Sequence, residues 1–204
     1  MSLDQPNSAT AETLSQVERV ILTPEQIAAR VSALGQAIST DYEGQDLILV
    51  GVLRGVLFFM ADLLRAITIP VKYDVIAISR YGPTSQTRGV VRLTKDLDEH
   101  IEGRHVLFVE DVIDTGLTSN YILKNLRARE PASLRVCALL DRPQHRLIDL
   151  NITYKGFELP DLFLVGYGLD YQQMFRNLPY IATLKAGALG RLAAAHDLQA
   201  RGDA

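Results

Sequence analysis

Short apolar runs alternate with helical patterns along this chain, and that alternation limits its possible folds more than any other feature. The apolar runs lie at residues 46–52, 73–79, 105–110, 134–140 and 162–168, and each ends at polar or turn-forming residues. Helical patterns at residues 55–67 and 117–130 lie between them. Alternating strands and helices build βαβ units, and strands without polar alternation are buried on both faces. The sequence therefore predicts an α/β fold with a twisted, mainly parallel sheet and helices on both faces.

Two further segments carry clear local signals. Residues 23–40 predict a helix, because Thr23 is a suitable N-cap, Pro24 suits the first helical position and Gln26 completes a capping box. Residues 81–98 break the alternation with Gly, Pro, Ser and Thr, followed by an alternating VVRLT. This composition predicts a long loop or hairpin of the length at which active-site lids occur.

The two ends of the chain differ from its middle. Residues 1–17 are polar and lack the basic and apolar regions of a signal peptide, so we expect a flexible tail. Residues 186–201 predict a peripheral helix. The rest of the chain, residues 18–204, has the size of one domain, which commonly runs to about 100–200 residues.

Composition and charge argue against several classes of function. A net charge of −3 gives no general attraction to nucleic acid or to an anionic membrane, and the apolar runs are too short to span a bilayer. The single cysteine, Cys137, lies in an apolar run and is predicted to be a core residue, which fits a reducing cytoplasm. The four histidines lack metal-ligand spacing and are predicted to be surface or strand-edge residues, so zinc chemistry has no support.

The segment VLFVEDVIDTGLTSN at residues 106–120 carries the strongest functional signal. An apolar strand ends in Glu110 and Asp111, and a turn from Thr115 to Thr118 opens the next helix. Backbone N–H groups at a helix start bind phosphate, whereas carboxylates accept from sugar hydroxyls or hold Mg²⁺ through water. The glycine patterns of P-loops and dinucleotide folds are absent. These residues therefore predict a site for a phosphorylated sugar.

The motif VEDVIDTG followed by LT resembles the 5-phosphoribosyl-1-pyrophosphate (PRPP) motif of the type I phosphoribosyltransferases, and its EDxxDTG form is similar to the hypoxanthine-guanine branch. Further stretches resemble family motifs in the expected order. VGVLRGVLFFMADLLRAI resembles the pyrophosphate loop and its helix, ISRYGPTSQTRGVVRLTKDL the flexible active-site loop, and LPDLFLVGYGLDYQQMFRNLPYIATL the purine-binding segment. The resemblance spans about residues 20–185 and implies the family fold, with a small hood formed by the chain-terminal segments.

The resemblance also implies a reaction. Enzymes of this branch join N9 of hypoxanthine or guanine to the anomeric carbon of PRPP, release pyrophosphate and make IMP or GMP with Mg²⁺ as cofactor. Asp114 matches the catalytic residue that handles the proton at purine N7. The acids that match the metal site are Glu110, Asp111 and Asp170.

The resemblance assigns the other site residues by position. For PRPP and its phosphates they are Leu53, Arg54 and Gly55, with a cis peptide expected between the first two, together with Glu110, Asp111, Asp114, Thr115, Gly116, Leu117, Thr118 and Arg176. For the purine they are Arg142, which faces O6 where the family usually has lysine, the stacking Phe163, and Leu164 and Asp170, whose carbonyls face the C2 edge. The flexible loop contributes Arg80, Tyr81 and Gly82.

Other properties follow from the same resemblance. It implies a cytoplasmic homodimer or homotetramer whose partners are PRPP and a 6-oxopurine, with no role for nucleic acid or membrane. Two alternatives stay open, which are a non-catalytic nucleotide- or RNA-binding regulator on the same fold and a purine enzyme shifted towards xanthine. The acidic net charge and the presence of Asp114 favour an enzyme, since an RNA binder needs a basic face.

Overall fold

The computed structural model describes residues 15–80 and 91–188. The strands and helices follow in the order β1 (Val17–Leu22), α1 (Pro24–Asp41), β2 (Leu47–Leu53), α2 (Leu57–Ala66), β3 (Val71–Arg80), β4 (Val91–Lys95), β5 (His105–Ile113), α3 (Leu117–Arg127), β6 (Ser133–Asp141), β7 (Tyr154–Glu158) and β8 (Ile181–Leu184). A short 3₁₀ turn, Pro143–His145, follows β6.

The main sheet has the strand order β4-β3-β2-β5-β6-β7. All neighbouring strands are parallel except β4, which pairs antiparallel with β3. The strands β2 and β5 lie at the centre. The strand that follows β2 in the chain, β3, lies on one side of this pair, and the strand that follows β5, β6, lies on the other side. Such a reversal opens a crevice at the carboxyl ends of the two central strands, where α/β proteins bind ligands. The predicted mainly parallel α/β fold is confirmed.

Helices cover both faces of this sheet. On one face Ile48 and Phe108 belong to a buried cluster that includes Ile122 and Leu126 of α3. On the other face Gly51 of β2 lies so close to α2 that an added Cβ would come within 2.7 Å of Cε of Met60. Because successive strand residues point to opposite faces, the continuous apolar runs of β2 and β5 fill both layers.

Most of the predicted local elements are present. The α1 helix begins with the expected capping box, in which Thr23 N–H donates to Gln26 Oε1 at 2.8 Å and Gln26 N–H donates to Thr23 Oγ1 at 3.3 Å. Residues 91–94 of the VVRLT alternation lie in β4, the second strand of a hairpin with β3. The residues between these strands, 81–90, lie outside the described part of the chain.

Of the described residues, 15–27 and 162–188 near the chain ends form a compact unit of their own, while 28–80 and 91–161 form the other unit. Within the first unit β1 pairs antiparallel with β8, and Val165, Phe175 and Leu178 belong to its buried core. Of the predicted tail and C-terminal helix, residues 1–14 and 189–204 lie outside the described residues. Residues 186–188 are helical.

The predicted strand at residues 162–168 is wrong. Only Val165 and Gly166 make isolated bridges there. Gly166, Tyr167 and Gly168 have φ values of 97°, 49° and 97°, which turn the backbone out of an extended conformation. The apolar composition reflects burial of this turn, since Val165 to Gly168 are all buried. No helix within residues 15–80 and 91–188 is both long and apolar enough to cross a membrane.

Candidate active site

The end of β5 carries the predicted PRPP acids at the crevice of the main sheet. Glu110 is 6% exposed, and Asp111 is half-buried with Oδ1 accepting from Val112 N–H at 2.9 Å. Asp114 follows directly after the strand. The three carboxylates therefore lie along one strand end, as the sequence predicted.

The turn after Asp114 places backbone N–H groups at the start of α3. Gly116 has φ 82°, and an added Cβ would lie 3.0 Å from the Ile148 carbonyl oxygen, so both conformation and packing favour glycine. The Thr115 carbonyl accepts from Leu147 N–H at 3.0 Å, which fixes the turn from outside. The helix start concentrates partial positive charge where a phosphate would bind.

The loop after β2 meets the same crevice, because β2 and β5 are neighbours. Its Leu53–Arg54 peptide bond is cis, as the family resemblance implies. Gly55 lies so close to Asp111 that an added Cβ would come 1.8 Å from Oδ2. The predicted pyrophosphate loop and the predicted PRPP acids are thus brought into direct contact.

Arg142 lies beside Asp114. Its backbone N–H donates to the Ile113 carbonyl at 3.0 Å, which ties the end of β6 to the end of β5. Its guanidinium donates to Asp161 Oδ1 at 2.5 Å and approaches Asp114 Oδ1 to 4.0 Å. The residue predicted to face purine O6 and the residue predicted to take the purine proton are therefore neighbours.

Two residues near Asp114 were not singled out from the sequence as site residues. Arg146 donates from Nε to the Asp114 carbonyl at 3.1 Å and pairs with the buried carboxylate of Asp141. His145, expected to be a surface or strand-edge residue, lies between Asp114 and Asp161 at 2.8 and 3.0 Å. The hydrogen bond from His145, together with the charges of His145 and Arg142, lowers the pKa of Asp161. The only sequence signal that could have indicated a site role for Arg146 and His145 was the density of charged residues in DRPQHR.

The terminal unit contains the remaining purine-segment residues. Phe163 is 49% exposed and packs edge-to-face on Tyr171, with ring centroids 5.4 Å apart, so it is not a core residue. Asp170 pairs with Arg176 at 2.7 Å, while its Oδ2 accepts from Gln173 N–H at 2.9 Å. The predicted metal acid and the predicted pyrophosphate arginine thus bind each other.

Three assignments on the flexible loop stay predictions. Arg80 is the last residue of β3, and its backbone pairs with Val91. Tyr81 and Gly82 lie outside the described residues.

Comparison with known proteins decides the family. The phosphoribosyl transferase domain family matches residues 20–172. The chain belongs to this family. The hypoxanthine-guanine phosphoribosyltransferase of Mycobacterium avium is 49% identical over 174 residues, which cover 82% of this chain and 86% of that protein. The Bacillus subtilis protein of the same name is 42% identical, over 83% of this chain and 94% of its own length.

A solved structure agrees with these relatives. The hypoxanthine phosphoribosyltransferase of Staphylococcus aureus superposes with a TM-score of 0.83 at 37% identity. The match covers 92% of this chain and 98% of that one. The predicted type I phosphoribosyltransferase fold is therefore confirmed over most of the chain.

The acids of this phosphoribosyl transferase suit Mg²⁺. Within residues 15–80 and 91–188, no group of three His, Cys, Asp or Glu side chains could hold a metal by itself. Mg²⁺ typically needs only one or two carboxylates, because substrate oxygens and water complete its shell. Asp111 provides a hard oxygen donor directly beside Gly55 of the predicted pyrophosphate loop. Metal binding at Asp170 would compete with Arg176.

Proposed function

We infer that this phosphoribosyl transferase is a purine salvage enzyme that converts a 6-oxopurine and PRPP to a nucleoside monophosphate and pyrophosphate. One observation carries the inference. The loop with the cis Leu53–Arg54 bond contacts Asp111 through Gly55, at the crevice where Asp114 and the α3 start also lie. Such an arrangement suits a sugar that carries phosphate groups at both ends.

Each part of PRPP has a candidate partner. The Thr115–Thr118 turn would hold the 5′-phosphate through backbone N–H groups and hydroxyls. Leu53, Arg54 and Gly55 would hold the pyrophosphate, and Glu110 and Asp111 would accept from the ribose hydroxyls. Arg176 is proposed as a further pyrophosphate contact. These roles rest on position in the family motifs and on the contacts described above.

The chemistry needs a good leaving group and a nucleophilic N9. As the bond from C1′ to pyrophosphate breaks and the bond from N9 to C1′ forms, Asp114 would accept the proton that leaves N7. Arg142 would donate to O6 and Phe163 would stack on the ring, with Leu164 and Asp170 at the C2 edge. The half-exposed Phe163 side chain suits a stacking role better than a core residue would.

Bound Mg²⁺ would neutralise charge on the leaving pyrophosphate. Glu110 and Asp111 are the residues proposed to hold it, with Asp170 as a third. We expect activity with hypoxanthine to disappear in excess chelator and to return with Mg²⁺. Full activity in the presence of chelator would contradict the metal assignment.

The deciding experiment measures kcat/KM for adenine, hypoxanthine, guanine and xanthine on the wild type, Arg142→Lys and Arg142→Ala. Adenine presents a donor at position 6, so donor would face donor, and a buried unpaired donor costs about 1–3 kcal/mol. We therefore expect adenine to be at least about tenfold worse than hypoxanthine. Equal activity on adenine, or four unchanged values in Arg142→Ala, would contradict the role of Arg142.

The same purine panel tests the alternatives. A preference for xanthine would identify a xanthine-shifted enzyme, and failure to form any nucleotide would favour a non-catalytic regulator. The net charge of −3 gives an RNA-binding regulator no support. We propose a cytoplasmic homodimer or homotetramer, whose subunit number sedimentation equilibrium would measure.

A further inference from the structure

His145 lies between two carboxylates, and the proposed chemistry assigns a role to only one of them. Its Nδ1 is 2.8 Å from Asp114 Oδ1, and its Nε2 is 3.0 Å from Asp161 Oδ2. The imidazole is half-buried, with 33% of the side chain exposed.

Asp161 contacts both His145 and Arg142. Its Oδ2 faces His145, while its Oδ1 accepts from Arg142 at 2.5 Å. Asp161 thereby links the residue proposed to face O6 with the imidazole that contacts Asp114. The backbone of Asp114 is held separately, because Arg146 Nε donates to its carbonyl.

The two sides of the Asp114 carboxylate differ. Oδ1 is buried, and no described residue gives it a well-aligned hydrogen bond, although His145 and Arg142 approach it. The Asp114 side chain as a whole is 42% exposed, so the exposed surface belongs to atoms other than Oδ1. A protein cation thus faces one oxygen, and the opposite side of the carboxylate stays open to a substrate.

We propose that His145 is a positioning residue, which Asp161 holds in place and which fixes the orientation of Asp114 during transfer. This inference rests on the proposed role of Asp114 as the acceptor of the N7 proton. A carboxylate only accepts, so a small rotation of the ring that points the Nδ1 hydrogen at Asp114 Oδ1 would complete a hydrogen bond across the 2.8 Å contact. The charged groups around the imidazole are Asp114, Asp161, Arg142 and the adjacent Arg146.

The test compares kcat and both KM values for the wild type and His145→Gln. A residue that only orients Asp114 during transfer should affect kcat and leave substrate binding unchanged. We expect kcat of His145→Gln to be lower than that of the wild type by about fivefold or more, the usual size of one hydrogen bond. KM for PRPP should stay within about twofold, because the phosphate contacts are intact.

Two further variants sharpen the result. Asp161→Asn should lower kcat to a similar extent, because it releases His145, and should also raise KM for hypoxanthine through Arg142. His100→Gln removes an exposed histidine that contacts neither Asp114 nor Asp161, and it should match the wild type in kcat and in both KM values. An unchanged kcat in His145→Gln, or a rise in its KM for PRPP as large as the fall in kcat, would overturn the proposal.

A measurement independent of turnover tests the contact itself. At fixed pH, the NMR signal of the His145 Cε1–H group should move in Asp114→Asn, while the His100 signal stays in place. An unmoved His145 signal would overturn the proposal even if the enzyme is active. Absence of nucleotide from the wild type, with a His145 signal that does move, would instead contradict the proposed function.

Discussion

At the scale of single residues, the candidate site depends on close approaches between side chains and loop backbone. Asp114 has its carbonyl held by Arg146 and one carboxylate oxygen faced by His145. Gly55 leaves just enough room for Asp111. Two substitutions test these approaches.

Replacing Asp114 with Asn keeps the size of the side chain but removes its ability to take a proton. We expect kcat to fall by about 10²–10⁴-fold, the usual contribution of a general acid–base group, while PRPP binding stays close to that of the wild type. Steady-state kinetics and PRPP titration calorimetry measure the two effects. A variant with wild-type turnover would make Asp114 only a turn residue.

Gly55→Ala adds a Cβ that would lie 1.8 Å from Asp111 Oδ2, so Asp111 or the loop must move. We expect KM for PRPP to rise about tenfold, since overpacking of this kind typically costs about 1–3 kcal/mol. Gly103→Ala is the control, because its added Cβ would meet no atom within 4 Å. Since Gly103 has a φ of 69°, alanine there should lower the free energy of unfolding by about 1–2 kcal/mol but leave KM for PRPP unchanged. Equal PRPP affinity in Gly55→Ala and the wild type would exclude the contact.

At the scale of elements, one buried carboxylate joins β3 to the segment after β4. Asp74 is 6% exposed, and its Oδ2 accepts from the N–H groups of Asp98 and Glu99 at 2.7 and 2.9 Å. Burial by itself would raise the pKa of Asp74, but these bonds and that from Val75 N–H outweigh burial and lower the pKa. The charged form of Asp74 therefore stabilises this connection.

Asp74→Asn should lower the free energy of unfolding by about 1–3 kcal/mol at neutral pH. Because the folded pKa is lowered, the stabilisation is present above the unfolded value of about 3.9 and is lost as pH falls through the folded pKa. The difference from the wild type should thus be constant above about pH 5 and shrink in acid. Urea unfolding at several pH values measures it.

The matched control for this prediction is Asp62→Asn. Asp62 is 46% exposed and pairs with Arg65 on the same helix. Exposed pairs contribute about 0–1 kcal/mol, so this variant should stay close to the wild type at each pH. A difference for Asp74→Asn that does not change with pH would mean that its charge has no part in stability.

At the scale of the whole molecule, the reactivity of the single cysteine, Cys137, measures global unfolding. Cys137 is fully buried in β6, which confirms the predicted core position. Burial raises the pKa of its thiol, despite a smaller opposing effect of Arg30. The thiolate that reacts with disulfide reagents therefore forms only when the sheet opens.

We expect an aromatic disulfide reagent to label the native protein no faster than it unfolds, and to label it at once in denaturing urea. Ser32→Cys, which places a thiol on the exposed face of α1, should react immediately in the native state and provides the control. Rapid labelling of the native wild type would show that β6 opens locally without global unfolding.

Local patterns were enough to predict β2, β3, β5 and β6, the cap of α1, and the turn before α3. Each depends on hydrophobic periodicity or on residues a few positions apart, so a short window of sequence contains the cause. The family motifs added the cis Leu53–Arg54 bond, which the structure shows. They also supplied the site roles, which stay proposals.

Tertiary structure decided what no local window contains. Strand order brings Gly55 to Asp111, and the pairing of β5 with β6 brings His145 to Asp114 across 31 positions of sequence. The apolar segment 162–168 could have been a strand, but three positive φ angles make it a turn. Periodicity records only whether a side chain is buried, and which distant group covers it depends on how the whole chain packs.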